Sequence, residues 1–192
     1  MIDCNVIRPN ITTVSSFVGF HLLNDQPELW FNINRAISIV KKYGTGSNDW
    51  WDPHMSFTYL CCLTKEEIQD KVLPALSNVS WEPISVSYSK AVCIHDGNSI
   101  VLYADEDSQT RLLTLVEKFE QAIMDTGVNV FVPRSKMSGF HVTIGTISHD
   151  GNQSSLAVKE INSIIHQWSS KPIVIDHFRF MKPFWYKVSA HG

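Results

Sequence analysis

Apolar and polar positions along this chain switch repeatedly between a two-residue and a 3.6-residue period, and each switch marks the end of one element and the start of the next. TVSSFVGFHLL, near residues 13 to 23, reads as a strand. Leu29, Ile33, Ile37 and Val40 then recur at helical spacing, and Gly44 and Gly46 stop that helix. The loop TGSNDWWDP leads into a strand at HMSFTYLC, after which Thr64 and Glu67 supply a Thr-x-x-Glu capping box for a helix running to about Asn78. ISVSYSKAVCI is a strand, HDGN a turn and IVLYA another strand. Leu112, Leu115, Val116, Phe119 and Ile123 mark a long helix ending near Gly127. The loop VNVFVPRSKMSG delivers a strand at FHVTIGT. Ile161, Ile164, Ile165 and Trp168 lie on one helix face, and PIVIDHFRF is the last strand.

Written out, this is strand, helix, strand, helix, strand, followed by the same five elements in the same order. The chain therefore reads as a doubled unit. The expected fold class is α+β, a bilobal duplicated fold in which two pseudo-two-fold-related β-α-β-α-β lobes enclose a central cleft. Length and a hydrophobic content of 44% suit one domain, residues 1–192, with approximate lobes 1–96 and 97–192.

Each predicted half contains one strand with a histidine followed two residues later by a hydroxyl residue. HMSFTYL holds His54 and Ser56, FHVTIGT holds His141 and Thr143, and the two histidines are 87 residues apart, from 54 to 141. Alternate strand residues share a face, so His54, Ser56 and Thr58 are expected on one face, with Met55, Phe57 and Tyr59 on the other. In the second copy His141 and Thr143 oppose Phe140, Val142 and Ile144. An imidazole titrates near neutrality, so two of them supply a base and an acid. The hydroxyls of Ser56 and Thr143 are placed to hold non-bridging phosphate oxygens. Phosphoryl transfer is the chemistry that needs this set: one histidine deprotonates the attacking hydroxyl or water while the other protonates the leaving oxygen.

Net charge and the remaining motifs narrow the reading. With 16 basic and 19 acidic side chains and a formal charge of −3, the chain is not expected to track long nucleic acid. No signal peptide or membrane-spanning run is read, so a cytoplasmic protein is expected, the nucleus left open, with no membrane partner and as a monomer. Cys4, Cys61, Cys62 and Cys93 lack CxxC spacing and read as free thiols. No carboxylate lies near either histidine on its strand face, and Asp52 alone does not make a metal site, so neither a metal nor another cofactor is expected. Cys93 with His95 reads as a buried thiol and a turn residue rather than a nucleophile and base, and no G-x-S-x-G elbow is present. Gly44-Thr-Gly46 is too short to cradle phosphates. Trp50 and Trp51 before the first histidine strand, and Trp185 after the last strand, could stack a base. Arg134 and Lys136, in the loop entering the second histidine strand, could attract the phosphate.

HMSFTYL and FHVTIGT together resemble the paired His-x-Ser/Thr signatures of the two-histidine (2H) phosphoesterase superfamily, and the element order extends that resemblance over nearly the whole chain. It implies a duplicated bilobal fold, metal-independent catalysis by His54 and His141, and phosphate contacts from Ser56 and Thr143. The expected function is that of a phosphodiesterase on a small nucleotide or short oligonucleotide, either cleaving a 2′,5′-linkage, as in 2′,5′-oligoadenylate or a cyclic dinucleotide, or opening a 2′,3′-cyclic phosphate. The alternative is a non-catalytic nucleotide- or RNA-binding module on the same fold.

Overall fold

A computed structural model of the chain describes residues 14–21, 27–44, 53–94, 99–128, 139–147, 151–167, 172–181 and 186–189. The strands are β1 (Val14–His21), β2 (His54–Leu63), β3 (Ile84–Val86), β4 (Tyr88–Ile94), β5 (Ser99–Ala104), β6 (His141–Thr146), β7 (Ile173–Ile175), β8 (His177–Met181) and β9 (Tyr186–Ser189). The helices are α1 (Pro27–Tyr43), α2 (Lys65–Glu67), which runs through a π-helical turn (Ile68–Val72) into α3 (Leu73–Ser77), then α4 (Glu106–Met124) and α5 (Gly151–Ile165). The mixture is α+β, as the alternating periods predict.

Local signals set the helix ends. Thr64 Oγ1 accepts from Glu67 N at 3.1 Å while Glu67 Oε2 accepts from Thr64 N at 2.9 Å, so the expected capping box satisfies two otherwise unpaired amides. Asp105 caps α4 by accepting from Ser108 N at 2.8 Å. Beyond α4 the chain turns at Gly127, whose φ of +80° is open to glycine without a Cβ clash. The periodic residues of α4, Leu112, Leu115, Val116, Phe119 and Ile123, are all buried, as are Ile33 and Val40 of α1.

Seven strands form one sheet in the order β4-β5-β6-β2-β1-β8-β9, and β3 pairs with β7 in a separate two-stranded sheet. All pairings are antiparallel. The two halves of the repeat meet where β2 lies against β6, with β1 and β5 flanking them. Each half then sends its last strand to the other: β4 pairs with β5, and β8 pairs with β1. In sequence order β1 and β4 share the first predicted lobe, whereas in the sheet β4 lies beyond β5 and β8 beyond β1. The exchange also accounts for two strands that the periodicity ran together. ISVSYSKAVCI breaks at Ser87 into β3 and β4, and PIVIDHFRF breaks at Asp176 into β7 and β8, because the pieces belong to different sheets. β9 carried no clear period and was not expected.

Both signature strands contain a bulge at the same offset from their histidine. Val18 pairs with Thr58 but Gly19 pairs with Ser56, leaving Phe57 as the extra residue of β2. Ile100 pairs with Gly145 but Val101 pairs with Thr143, leaving Ile144 as the extra residue of β6. A bulge shifts the alternation by one. Thr58 is accordingly fully buried, and its hydroxyl donates to Glu120 Oε1 of α4 at 2.8 Å. Tyr59 is only partly buried. The expected sharing of one face by Ser56 and Thr58 is therefore corrected: Tyr59 takes that side and Thr58 joins the core. The matching residue of β6 is Gly145, where a Cβ would come within 2.7 Å of Val40 Cγ1, so glycine lets α1 pack close to the strand.

The core gathers Met55, Phe57, Leu60, Val142 and Ile144 from the signature strands with the apolar faces of the helices. The edge strand β4 is covered by α5, whose Asn162 side chain accepts from Ala91 N at 2.7 Å and donates to Ala91 O at 3.0 Å, pairing as a strand would. Cys93 lies outside any disulfide, as expected, whereas Cys62 is disulfide-bonded, which corrects the reading of that residue as a thiol. Cys62 has a φ of 60°, at an irregular stretch where β1 and β2 pair Ser16 with Leu60 and Val14 with Leu63.

Candidate active site

The two signature strands are neighbours, hydrogen-bonded antiparallel with Met55 opposite Val142. Those two residues are buried at 1% and 0% exposure and belong to the core face. One residue to either side the strands turn their other face outward. Continuing the register sets His54 against Thr143 and Ser56 against His141, so each histidine stands across from the hydroxyl of the other motif. Residues so opposed lie about 5 Å apart and the two histidines, on the diagonal, about 7–8 Å apart at the backbone. All four side chains are partly buried. The sequence places a histidine and a hydroxyl on each strand; antiparallel pairing turns them into one four-membered cluster.

The protonation pattern of His141 follows from its contact. Its Nδ1 lies 2.9 Å from the Gly139 carbonyl oxygen, which can only accept, so Nδ1 carries a proton. In the neutral ring Nε2 is then the basic atom. Two tyrosines that the sequence reading passed over join the cluster. Tyr59, brought round by the bulge, donates from its hydroxyl to Ser56 Oγ at 3.1 Å. Tyr103, opposite His141 on β5, has its ring centroid 5.4 Å from the imidazole at an interplanar angle of 51°. A tyrosine in a strand has no local mark of function, and only the cross-strand register identifies these two.

Other registers extend the row. Gly19 of β1 is opposite Ser56, Arg179 of β8 is opposite Gly19, and Lys187 of β9 is opposite Arg179. His21 is opposite His54. His177 is 1% exposed, packs against the Phe20 ring at 5.4 Å and has its Nδ1 2.5 Å from Asp176 Oδ1. Trp50, Trp51, Arg134, Lys136 and Trp185 lie outside the described residues. Among the described residues no group of three or more His, Cys, Asp or Glu side chains could hold a metal ion, and no helix is long and apolar enough to cross a membrane.

The hydroxyls rank below the histidines in expected importance. If Ser56 and Thr143 hold a phosphate as the sequence reading expects, Ser56→Ala and Thr143→Ala should each lower kcat/KM about 10-fold, close to 1.4 kcal/mol for one hydrogen bond to a charged oxygen that water partly replaces. Steady-state kinetics of the two variants check this, and a loss as large as that of a histidine variant would give the hydroxyl a different task.

No family model and no curated protein matches the sequence. Solved structures do match its fold. Usb1 of Kluyveromyces marxianus aligns over 93% of this chain and 99% of its own, with a TM-score of 0.62 and 10% identity. The same protein with uridine monophosphate aligns over 91% and 98%, with a TM-score of 0.57 and 10% identity. E. coli LigT complexed with NADP+ aligns over 94% and 96%, with a TM-score of 0.57 and 12% identity. With both His-x-Ser/Thr strands paired at the centre of its sheet, this chain has the α+β fold of the Usb1 and LigT structures.

Proposed function

We propose that this protein is a metal-independent phosphodiesterase that acts on small nucleotides or short oligonucleotides, cleaving a 2′,5′-linkage or opening a 2′,3′-cyclic phosphate. The observation that carries the reading is the β2–β6 register, with Met55 opposite Val142, which when continued sets His54 against Thr143 and His141 against Ser56 on the partly buried face. A phosphate seated over these four residues accepts hydrogen bonds from the two hydroxyls on its non-bridging oxygens. The imidazoles then approach it from opposite corners, as in-line displacement requires. One histidine removes the proton of the nucleophile and the other delivers a proton to the leaving oxygen. His141 acts through Nε2, because Nδ1 is engaged with Gly139. Tyr59 supports Ser56 by donating to its oxygen, which leaves the serine proton for the phosphate. The Tyr103 ring offers a flat surface beside His141 for a base or ribose. Neighbours on this fold have been solved with a mononucleotide and with a dinucleotide, which supports a ligand of that class.

The test is turnover on a panel of 2′,5′-oligoadenylate, cyclic dinucleotides and nucleoside 2′,3′-cyclic phosphates, before and after exhaustive chelation with EDTA. At least one substrate should turn over, at a rate that EDTA leaves unchanged, since two imidazoles supply both proton transfers. Activity lost to EDTA and restored by a divalent ion would replace the acid/base assignment with a metal mechanism. Nucleotide binding without turnover across the panel would make the protein a binding module.

A further inference from the structure

His141 is oriented by a peptide that is itself held from behind. The Gly139 carbonyl that accepts from His141 Nδ1 belongs to the same peptide plane as the Phe140 N–H, and that N–H donates to Gln109 Oε1 at 2.5 Å. In a trans peptide the C=O and N–H point in opposite directions, so fixing one fixes the other. Gln109 Nε2 donates to the Phe140 carbonyl at 2.8 Å and to the Ala104 carbonyl at 3.2 Å. Ala104 N–H reaches the same Phe140 carbonyl at 3.1 Å. The side-chain amide thus pairs with residue 140 on both its polar groups, immediately before β6 begins. Phe140 is anchored on its other side, its ring 2% exposed and edge-on to Phe57 at 6.3 Å.

Gly139 fits this arrangement. Among the described glycines only Gly127 has a positive φ, so Gly139 is not called for by its backbone conformation. A Cβ at Gly139 would instead lie 2.8 Å from Gln109 Oε1 and 3.0 Å from Cδ and Nε2. The glycine makes room for the amide.

We propose that Gln109 is a positioning residue for His141: through the Gly139–Phe140 peptide it keeps the imidazole in its Nδ1–H tautomer and aims Nε2 at the reacting oxygen. Its catalytic consequence rests on the phosphodiesterase reading, whereas the tautomer is measurable without any substrate. A glutamine at the start of α4 carries no charge to lend, so its effect is one of geometry. Misplacing a catalytic group by about 1 Å costs on the order of 100-fold.

The experiment is long-range 1H–15N NMR of the His141 ring, with kinetics alongside, on Gln109→Leu and on Gly139→Ala, which displaces the amide without removing it. In the parent protein the neutral ring should be protonated at Nδ1. Both variants should shift it to a mixture of tautomers, lower kcat about 10- to 100-fold, change KM little and move one limb of the pH profile. Gln109→Leu combined with Gly139→Ala should be no worse than the poorer single variant, since both act on one contact. A merely structural glutamine would lower the melting temperature and leave the tautomer alone. A folded Gln109→Leu protein whose His141 keeps the Nδ1–H tautomer and an unchanged pH profile overturns the proposal. Where that variant does not fold, the same outcome in Gly139→Ala overturns it. Should the tautomer shift while His141→Ala keeps full turnover, the positioning stands and the phosphodiesterase role of His141 falls.

Discussion

Replacing either His54 or His141 with alanine is expected to lower turnover at least ~100-fold, about 2.7 kcal/mol of transition-state stabilisation, the scale on which a general acid or base contributes. The double variant should be little worse than either single one, because an acid without its base leaves the same uncatalysed proton transfer limiting the rate. Folding should survive in both. The two histidines are only partly buried, and Met55, Phe57, Val142 and Ile144 on the reverse face keep the strands anchored. Kinetics and thermal melts on purified variants check this, and near-parent kcat in either removes that histidine from the mechanism. A base that must be neutral and an acid that must be protonated also make kcat/KM bell-shaped in pH. Its two limbs belong to the pair rather than to either ring, and each single variant should flatten one limb.

How these residues come together was only partly legible in the sequence. The helical stripe of α4, the capping box at Thr64 and the strand character of HMSFTYL and FHVTIGT are local, and local period and capping chemistry are enough to see them. The doubled order of elements was legible for the same reason. Pairing was not: which strand lies beside β2 depends on contacts tens of residues away, and nothing in YSKAVCI announces that β4 crosses to β5 while β8 crosses to β1. Bulges are a second blind spot. The run Ser56-Phe57-Thr58 has no composition that separates it from a regular strand, and the register with β1 alone reveals that Phe57 is the extra residue. That one insertion moved Thr58 into the core against Glu120 and Tyr59 toward Ser56. Gln109 was invisible for a related reason. Its partner, Phe140, is 31 residues away, and a glutamine in the first turns of a helix is ordinarily a solvated residue.

Removing the 3′-hydroxyl of a 2′,5′-linked substrate is expected to abolish its cleavage, the largest effect on the substrate side. In a 2′,5′-linkage the ribose 3′-hydroxyl lies beside the scissile phosphate, already held in near-attack geometry. An intramolecular nucleophile so placed has an effective concentration of about 10⁵ M or more over water. The histidine acting as base takes its proton, the other protonates the departing 5′-oxygen, and the product is a 2′,3′-cyclic phosphate or its hydrolysis product. Opening a preformed cyclic phosphate runs the same two histidines with water as nucleophile, so labelled water enters the product directly. We favour the 2′,5′ route because a dinucleotide presents two bases. Tyr103 stands beside His141, and the sequence carries Trp50 and Trp51 before β2 and Trp185 before β9 as candidate partners for a second base. The measurement compares 2′,5′-linked diadenylate with its 3′-deoxy analogue, following product by chromatography and label by mass spectrometry. Cleavage of the analogue at the parent rate, with solvent oxygen in the first product formed, would turn the assignment to direct attack by water. Intact analogue that still competes with the parent substrate would identify the 3′-hydroxyl as the nucleophile, bound over the crossed pairs of His54 with Thr143 and His141 with Ser56.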